Sequence, residues 1–235
     1  MHVDYEFADS VAVVTGASGA LGSAVAAAFD AAGATVAAID VVAPSDEDAL
    51  LNPDTAAFYE ADLTDETAVG DAIEAIVDDH GRIDALCNVA GTWRGGEPIE
   101  ETDLEEFELL FDVNLKSMFL TSKHALPHLQ NSEGAIVSVS ARSSLEGGEG
   151  DGPYRAAKAG VRLLTETIAE ENRGTVRANA VLPSVIDTPM NREMMPDADH
   201  DAWVDPAEIA DVVLFLCSEG AAVTSGAAVP VYGEA

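Results

Sequence analysis

Tyr154 and Lys158 stand four positions apart in a chain that has three lysines among its 235 residues. The segment around them, Gly152-Pro153-Tyr154-Arg155-Ala156-Ala157-Lys158-Ala159-Gly160, puts a proline near a helix start and alanines behind it. On a helix, positions i and i+4 share one face, so the ammonium is expected one turn from the phenol. A cation there favours the phenolate, which predicts a lowered pKa for Tyr154 and a side chain able to give and take a proton near neutral pH. A surface tyrosine beside a surface lysine has the same spacing, so the pair acquires meaning only from its surroundings.

The run Thr15-Gly16-Ala17-Ser18-Gly19-Ala20-Leu21-Gly22 follows a β-branched stretch and opens a helical pattern. Glycines in such a turn let the backbone bend sharply and approach a diphosphate, which then rests on the helix N-terminus. Any strand-to-helix turn can use glycine, but here Asp40 closes the next strand-like run about 20 residues on, as dinucleotide binding requires. A carboxylate there accepts hydrogen bonds from a ribose 2′-OH and repels a 2′-phosphate. No Arg or Lys stands in the turn or directly after Asp40, so NAD is expected over NADP. Ala61-Asp62-Leu63 ends a third run, where the carboxylate either reaches an adenine amino group or caps the next helix. Asn88-Val89-Ala90-Gly91 ends a fourth, and ligands of open parallel sheets bind outside the carboxyl ends of the strands. Gly16, Ser18, Gly19, Leu21, Gly22, Asp40, Asp62, Leu63, Asn88, Ala90 and Gly91 are the expected cofactor contacts from this half.

The elements that must hold these residues alternate along the whole chain. Strand-like runs are 10–15, 35–40, 55–60, 84–89, 134–140, 176–181 and 227–232, with helical patterns near 20–32, 65–80, 101–129, 153–173 and 206–217. Such alternation predicts an α/β fold, a single-domain Rossmann-type doubly wound parallel sheet with helices on both faces. No linker, repeat or composition break divides residues 1–235.

Composition narrows the partners. Acidic residues number 43 against 11 basic ones, a net charge of −32, and they are dispersed rather than gathered in a tail. Self-repulsion of that size opposes a compact chain in dilute buffer, whereas at 1 M salt the Debye length shrinks to about 3 Å. Scarce lysine with scattered Asp and Glu resembles the cytoplasmic proteins of extreme halophiles; a merely acidic mesophilic protein is the alternative. Nucleic acid and anionic membrane are poor partners at this charge. No run approaches the roughly 18 apolar residues of a membrane span. Residues 1–6, Met-His-Val-Asp-Tyr-Glu, are acidic rather than signal-like, so a soluble cytoplasmic chain is expected. Cys87 and Cys217 are expected as buried free thiols, and no Cys/His cluster has metal-ligand spacing.

With the Gly turn, Asp40, Asp62, Asn88-Val89-Ala90-Gly91, Asn114, Tyr154 with Lys158, and Pro183-Ser184-Val185-Ile186-Asp187-Thr188, the chain resembles the short-chain dehydrogenase/reductase family over nearly its full length. The resemblance implies that Tyr154 exchanges the proton. It implies that Lys158 binds the nicotinamide ribose and lowers the Tyr154 pKa, and that Asn114 holds a water completing a proton relay. Pro183, the backbone around Ile186 and the Thr188 hydroxyl are implied to clamp the carboxamide of NAD(H). A small-molecule substrate and a homodimer or homotetramer are expected.

Two departures qualify the resemblance. The turn has Gly19 and Ala20 where the family usually has its middle glycine one place later. The family's serine, usually thirteen residues before the tyrosine, is here Ala141. Ser138, Ser140, Ser143 and Ser144 surround that position, and a one-residue shift brings Ser140 or Ser143 into place as the catalytic serine, although strand alternation turns Ser138 and Ser140 away from residue 141. The alanine, the GxxGxxG turn, the stretches 84–96, 181–192 and 195–199, and Trp203 are similar to the dihydropteridine reductase branch. On the substrate side, Trp93 either walls a flat substrate or pins its own loop, and Arg94 and Arg142 either bind an acidic or polar substrate or make local ion pairs. Residues 189–204, with Met190, Met194, Met195 and Trp203, are expected as a substrate lid. The activity expected is hydride transfer between NAD and a carbonyl, alcohol or imine carbon. A nucleotide-binding regulatory protein of the same fold, without turnover, is the alternative that Ala141 favours.

Overall fold

The computed structural model describes residues 5–43 and 56–234. Seven strands form one parallel sheet: β1 (Val11–Thr15), β2 (Thr35–Asp40), β3 (Ala56–Glu60), β4 (Ala85–Asn88), β5 (Ala135–Val139), β6 (Arg177–Pro183) and β7 (Ala228–Val231). Their order is β3-β2-β1-β4-β5-β6-β7. The chain winds outward from β1 in one direction and from β4 in the other, so the switch point lies between β1 and β4. There the two following turns diverge and leave a crevice at the carboxyl ends. The acidic N-terminal segment 1–4 and Thr55 of the expected third strand lie outside the described residues.

The pleat sorts the strand residues onto two helical layers. Ala12, Val14, Val36 and Ala38 pack under α1 (Ala20–Ala31) and α7 (Pro206–Cys217), against Val25, Phe29, Ile209 and Val213. Val11, Val13, Ala37 and Ile39 face the other way, toward Ile73, Leu129 and Val161. These belong to α2 (Glu66–His80), α4 (Ser117–Ser132) and α5 (Gly152–Glu171). With both faces covered, the central strands carry apolar residues on both faces rather than alternating apolar and polar ones, as a buried parallel sheet demands. Cys87 and Cys217 are free, buried thiols in the first of these layers. A hydrogen bond with Cys217, then burial, pushes the Cys87 thiol up.

The single helix expected over 101–129 is three pieces: α3 (Leu104–Phe111), a π-helical turn over Asp112–Lys116, and α4. Asp187 and Thr188 lead into a short α6 (Pro189–Met194) that the sequence pattern did not announce. Local chemistry sets the ends: Asp65 accepts from the Thr67 and Ala68 amides to start α2, and Asp205 with Glu208 forms a capping box at α7. Among the described residues no helix is long and apolar enough to cross a membrane, and no cluster of His, Cys, Asp or Glu could hold a metal.

Candidate active site

A cleft of about 1660 Å³ runs along the carboxyl ends of the strands. At one end it meets the N-terminus of α1, where Gly19 stands at the cap position and no side chain caps the first turn. The orphan amides and the positive end of the helix dipole make that turn suited to a diphosphate. Gly16 has φ +66°, and a Cβ there would lie 2.7 Å from the Ala90 Cα, so this turn and the one after β4 can meet only through glycine. Thr15 holds the two together: its Oγ1 accepts from the Val89 and Ala90 amides at 3.0 and 3.2 Å while donating to the Cys87 carbonyl at 3.4 Å. The sequence marks Thr15 only as a hydroxyl at a strand end before a glycine turn.

Asp40 ends β2 on the same cleft, with Oδ2 accepting from the Ser18 amide at 3.0 Å and Oδ1 from the Val41 amide at 2.7 Å. Those bonds fix the carboxylate beside the glycine turn and leave lone pairs for a ribose hydroxyl. Asp62 and Leu63 also line the cleft. Asp62 Oδ1 accepts from the Thr64 amide and hydroxyl at 2.8 and 2.7 Å, bonds that hold its carboxyl below the usual range. The helix cap is Asp65, so Asp62 holds a turn while facing the cleft. These residues fit an adenine dinucleotide: amides for the diphosphate and a fixed carboxylate for the ribose.

Asn88, expected as a cofactor contact, turns elsewhere. Its side chain does not line the cleft; Nδ2 donates to Ser122 and Ser138 at 3.1 and 3.3 Å, and Oδ1 accepts from Thr121 at 2.6 Å. As the last residue of β4 it turns under α4, where a buried amide must find partners. Asn88 thus ties the sheet to α4, leaving its neighbours Ala90 and Gly91 to face the cleft.

At the other end Tyr154 and Lys158 lie one turn apart on α5, with Nζ 5.9 Å from the centre of the phenol ring. Lys158 is buried and donates to the Val139 carbonyl at 2.9 Å. Burial pushes its ammonium down to about 8. The phenol moves opposite to expectation: burial, and then the carboxylate of Asp151, push Tyr154 up to about 12. Desolvation outweighs the ammonium, which sits toward the ring and points its proton at Val139.

Asn114 is buried in the π-helical turn. It donates to the Thr92 and Leu110 carbonyls, both at 2.9 Å, and accepts from the Thr92 amide at 3.1 Å. A π-turn shifts the following residues around the axis, a common device at functional sites. A Cβ on Gly91 would lie 2.8 Å from Asn114 Oδ1 and 3.0 Å from Lys158 Nζ, so the two side chains flank that glycine.

Ala141 lines the cleft in extended conformation and starts a 3-10 turn over Arg142–Leu145. Ser140 touches the same wall, but its hydroxyl donates to the Lys158 carbonyl at 2.7 Å. Ser143 lines the cleft as well, while Ser144 is buried outside it. Arg142 lies over the Tyr232 ring at 4.9 Å and borders the cleft; Arg94 is exposed outside it. Trp93 lines the cleft, and its ring lies against Gly95 of its own loop. Pro183, Ile186 and Thr188 line the wall after β6, and Thr188 Oγ1 caps α6 by accepting from the Asn191 amide at 3.2 Å. Met190, Met194 and Met195 border the cleft, whereas Trp203 packs on His200, ring centres 4.4 Å apart, and does not reach it.

Residues 16–233 match the protein family described as "Enoyl-(Acyl carrier protein) reductase". The chain is 34% identical to 2-(R)-hydroxypropyl-CoM dehydrogenase of Xanthobacter autotrophicus, over 95% of this chain and 97% of that one. It is 34% identical to meso-2,3-butanediol dehydrogenase of Serratia marcescens, over 97% and 95%. Among solved structures, carveol dehydrogenase from Mycobacterium avium in complex with NAD superposes with a TM-score of 0.88 at 26% identity, covering 97% of this chain and 98% of that one. The chain therefore belongs to the short-chain dehydrogenase/reductase family, oxidoreductases that bind nicotinamide cofactors.

Proposed function

We propose that this protein is an NAD(H)-dependent oxidoreductase that moves a hydride between nicotinamide and a carbonyl or alcohol carbon, with Tyr154 exchanging the proton. The observation that carries the reading is the Tyr154–Lys158 pair on one turn of α5, in the same cleft as Asp40 and the uncapped turn of α1. When bound, the nicotinamide supplies or accepts the hydride. With its pKa raised, Tyr154 is protonated at neutral pH, the state needed to donate to the oxygen of a carbonyl undergoing reduction. Lys158 would hold the nicotinamide ribose, Asn114 the relay water, and Pro183, Ile186 and Thr188 the carboxamide. Asp40 supports NAD over NADP by meeting a 2′-phosphate with negative charge, and the carveol dehydrogenase complex with NAD agrees with that choice.

Ala141 favours a second, narrower reading: a dihydropteridine reductase-like enzyme, acting on an activated imine-type acceptor that needs no serine donor. Trp93 and Arg142 are then substrate contacts, and the methionines of 189–204 a lid. Exposed Leu104, Phe107, Phe119 and Leu163 support a homodimer or homotetramer, and free Cys87 and Cys217 a reducing cytoplasm. The net charge of −32 supports work at high salt.

The test is NADH oxidation at molar KCl with a panel of ketones and quinonoid pterin. Tyr154→Phe is expected to cut kcat by about 10²-fold or more while NADH still binds, because a placed proton donor contributes about 10²–10⁴-fold. Retained turnover in that variant moves the proton elsewhere; NADH binding with no turnover on any acceptor returns the regulatory reading.

A further inference from the structure

Arg155, the residue after Tyr154, has no part in that chemistry, yet its side chain is only 23% exposed. Its Nε donates to the Asp151 carboxylate one turn earlier on the chain, itself 14% exposed. Its Nη1 donates to the main-chain carbonyls of Ser143 at 3.4 Å and Glu146 at 3.2 Å. Those carbonyls belong to the connection between β5 and α5 that brings Ala141, Arg142 and Ser143 to the cleft. The connection closes over the guanidinium so tightly that a Cβ on Gly148 would lie 2.2 Å from Arg155 Cζ. Next to it the Gly96 amide donates to the Gly150 carbonyl at 2.7 Å, joining the Trp93 loop to the segment entering α5. One cation thus gathers the start of the catalytic helix and the wall of the substrate end. The planar fork of a guanidinium can serve a carboxylate and two carbonyls at once, which an ammonium on a flexible stem does poorly.

We propose that Arg155 is a positioning residue which, paired with Asp151, fixes the 141–146 connection over the Tyr154 hydroxyl and so sets where the substrate oxygen sits. The proposal rests on Tyr154 as the proton-exchanging group. The charged groups that share the cleft with that phenol are Asp151 at the start of its helix and Arg155 and Lys158 on the helix. Arg142 and Glu146 line the cleft from the preceding connection, Asp187 and Asp205 from the segments after β6, and Asp40 and Asp62 at the glycine-turn end. Asp151 adds to burial in raising the phenol, and Arg155 is the cation that offsets Asp151.

The test is the pH dependence of kcat at molar KCl, with NADH affinity measured by fluorescence. Asp151→Asn removes a negative charge beside the phenol, so the limb set by the Tyr154–Lys158 unit moves to lower pH. Arg155→Met leaves the Asp151 carboxylate uncompensated and moves the limb to higher pH. It lowers kcat by up to about 10²-fold, the cost of roughly 1 Å misplacement, with NADH affinity kept. Arg155→Lys returns the limb toward its wild-type position without restoring kcat. Arg173→Met, which breaks an exposed pair with Glu170, is the control and keeps wild-type values. A wild-type kcat and limb in Arg155→Met overturns the clamp while Tyr154 keeps its role. Should that variant not fold, an unmoved limb in Asp151→Asn overturns it alone. Loss of dependence on Tyr154 in the wild-type background is a failure of the underlying assignment instead, visible without either variant.

Discussion

The Ser140 hydroxyl donates to the Lys158 carbonyl at 2.7 Å, while the Lys158 ammonium donates back to the Val139 carbonyl at 2.9 Å. The two bonds lock the end of β5 to the middle of α5 and hold the ammonium at its place behind Tyr154. They also commit the Ser140 proton. A hydroxyl has one proton to give, so Ser140 is unsuited to donate to a substrate oxygen without surrendering this bond. Ala141 and Ser143 line the cleft wall just after β5.

Cofactor choice should follow Asp40. Its carboxylate is fixed by two backbone amides, so a 2′-phosphate would meet a negative charge that cannot swing away. Asp40→Ala is expected to narrow the NADH preference chiefly by improving NADPH. Steady-state kcat/KM for both cofactors checks it; a wild-type enzyme that prefers NADPH refutes the role given to Asp40.

Salt should be required for the fold itself. A net charge of −32 on one compact chain repels itself, and molar salt shrinks the Debye length to about 3 Å. Exposed pairs such as Arg173–Glu170 and Lys116–Asp112 do little against that repulsion. Structure and activity are expected at molar KCl and their loss in low-salt buffer. Equal thermal stability by circular dichroism at low and molar KCl would remove halophilic adaptation from the reading.

The sheet and the glycine turn with the carboxylates beside it were legible because both are written in short-range patterns. β-Branched runs ending in Thr15-Gly16, Asp40 and Asp62-Leu63 place turns and carboxylates on strand ends, and parallel topology does the rest. Long-range partners were not legible. Nothing local told that Asn88 would face Thr121 and Ser122, that the helix through Asn114 would take a π-turn, or that Arg155 would reach back to Ser143. The direction of the Tyr154 shift failed for a related reason. The i+4 rule supplies the neighbouring charge of Lys158 but not the burial that overrides it. Trp203 was misplaced because aromatic type speaks for packing without saying against what, and His200 is its partner.

Lys158 should cost stability at neutral pH. Its folded pKa of about 8 lies below the ordinary value of 10.5. Between those values the unfolded chain holds a proton that the folded one has shed, so through this group stability rises with pH from about 8 to 10.5. Below that window the buried ammonium is a fixed cost of about 3 kcal/mol at most, from 1.36 kcal/mol per pKa unit. Lys158→Met is therefore expected to abolish turnover without lowering stability at pH 7, and to lose the rise above pH 8. Urea unfolding of both proteins at pH 7 and pH 10 in molar KCl measures this. A variant less stable than wild type at pH 7 means the Val139 bond outweighs desolvation.

Ala141 carries the most exposed expectation. A hydroxyl at that position would donate to the substrate oxygen beside Tyr154 and polarise a carbonyl for hydride attack. Ala141 has extended backbone on the cleft wall, a conformation serine adopts without strain, and the change only replaces one hydrogen atom by a hydroxyl. The wild-type enzyme should accordingly reduce conjugated, activated acceptors well and simple ketones poorly. Ala141→Ser should raise ketone kcat by up to about 10²-fold, the contribution of one preorganised donor, with little change for activated acceptors. Ser143→Ala and Ser140→Ala separate the alternatives. Ser143→Ala should leave ketone reduction near wild type, and Ser140→Ala should act through the Lys158 carbonyl it leaves unpaired, lowering stability along with rate. A large loss of rate in Ser143→Ala at unchanged stability, with no gain in Ala141→Ser, would show that Ser143 already supplies the donor and that the wall is shifted by two residues from the family's usual register.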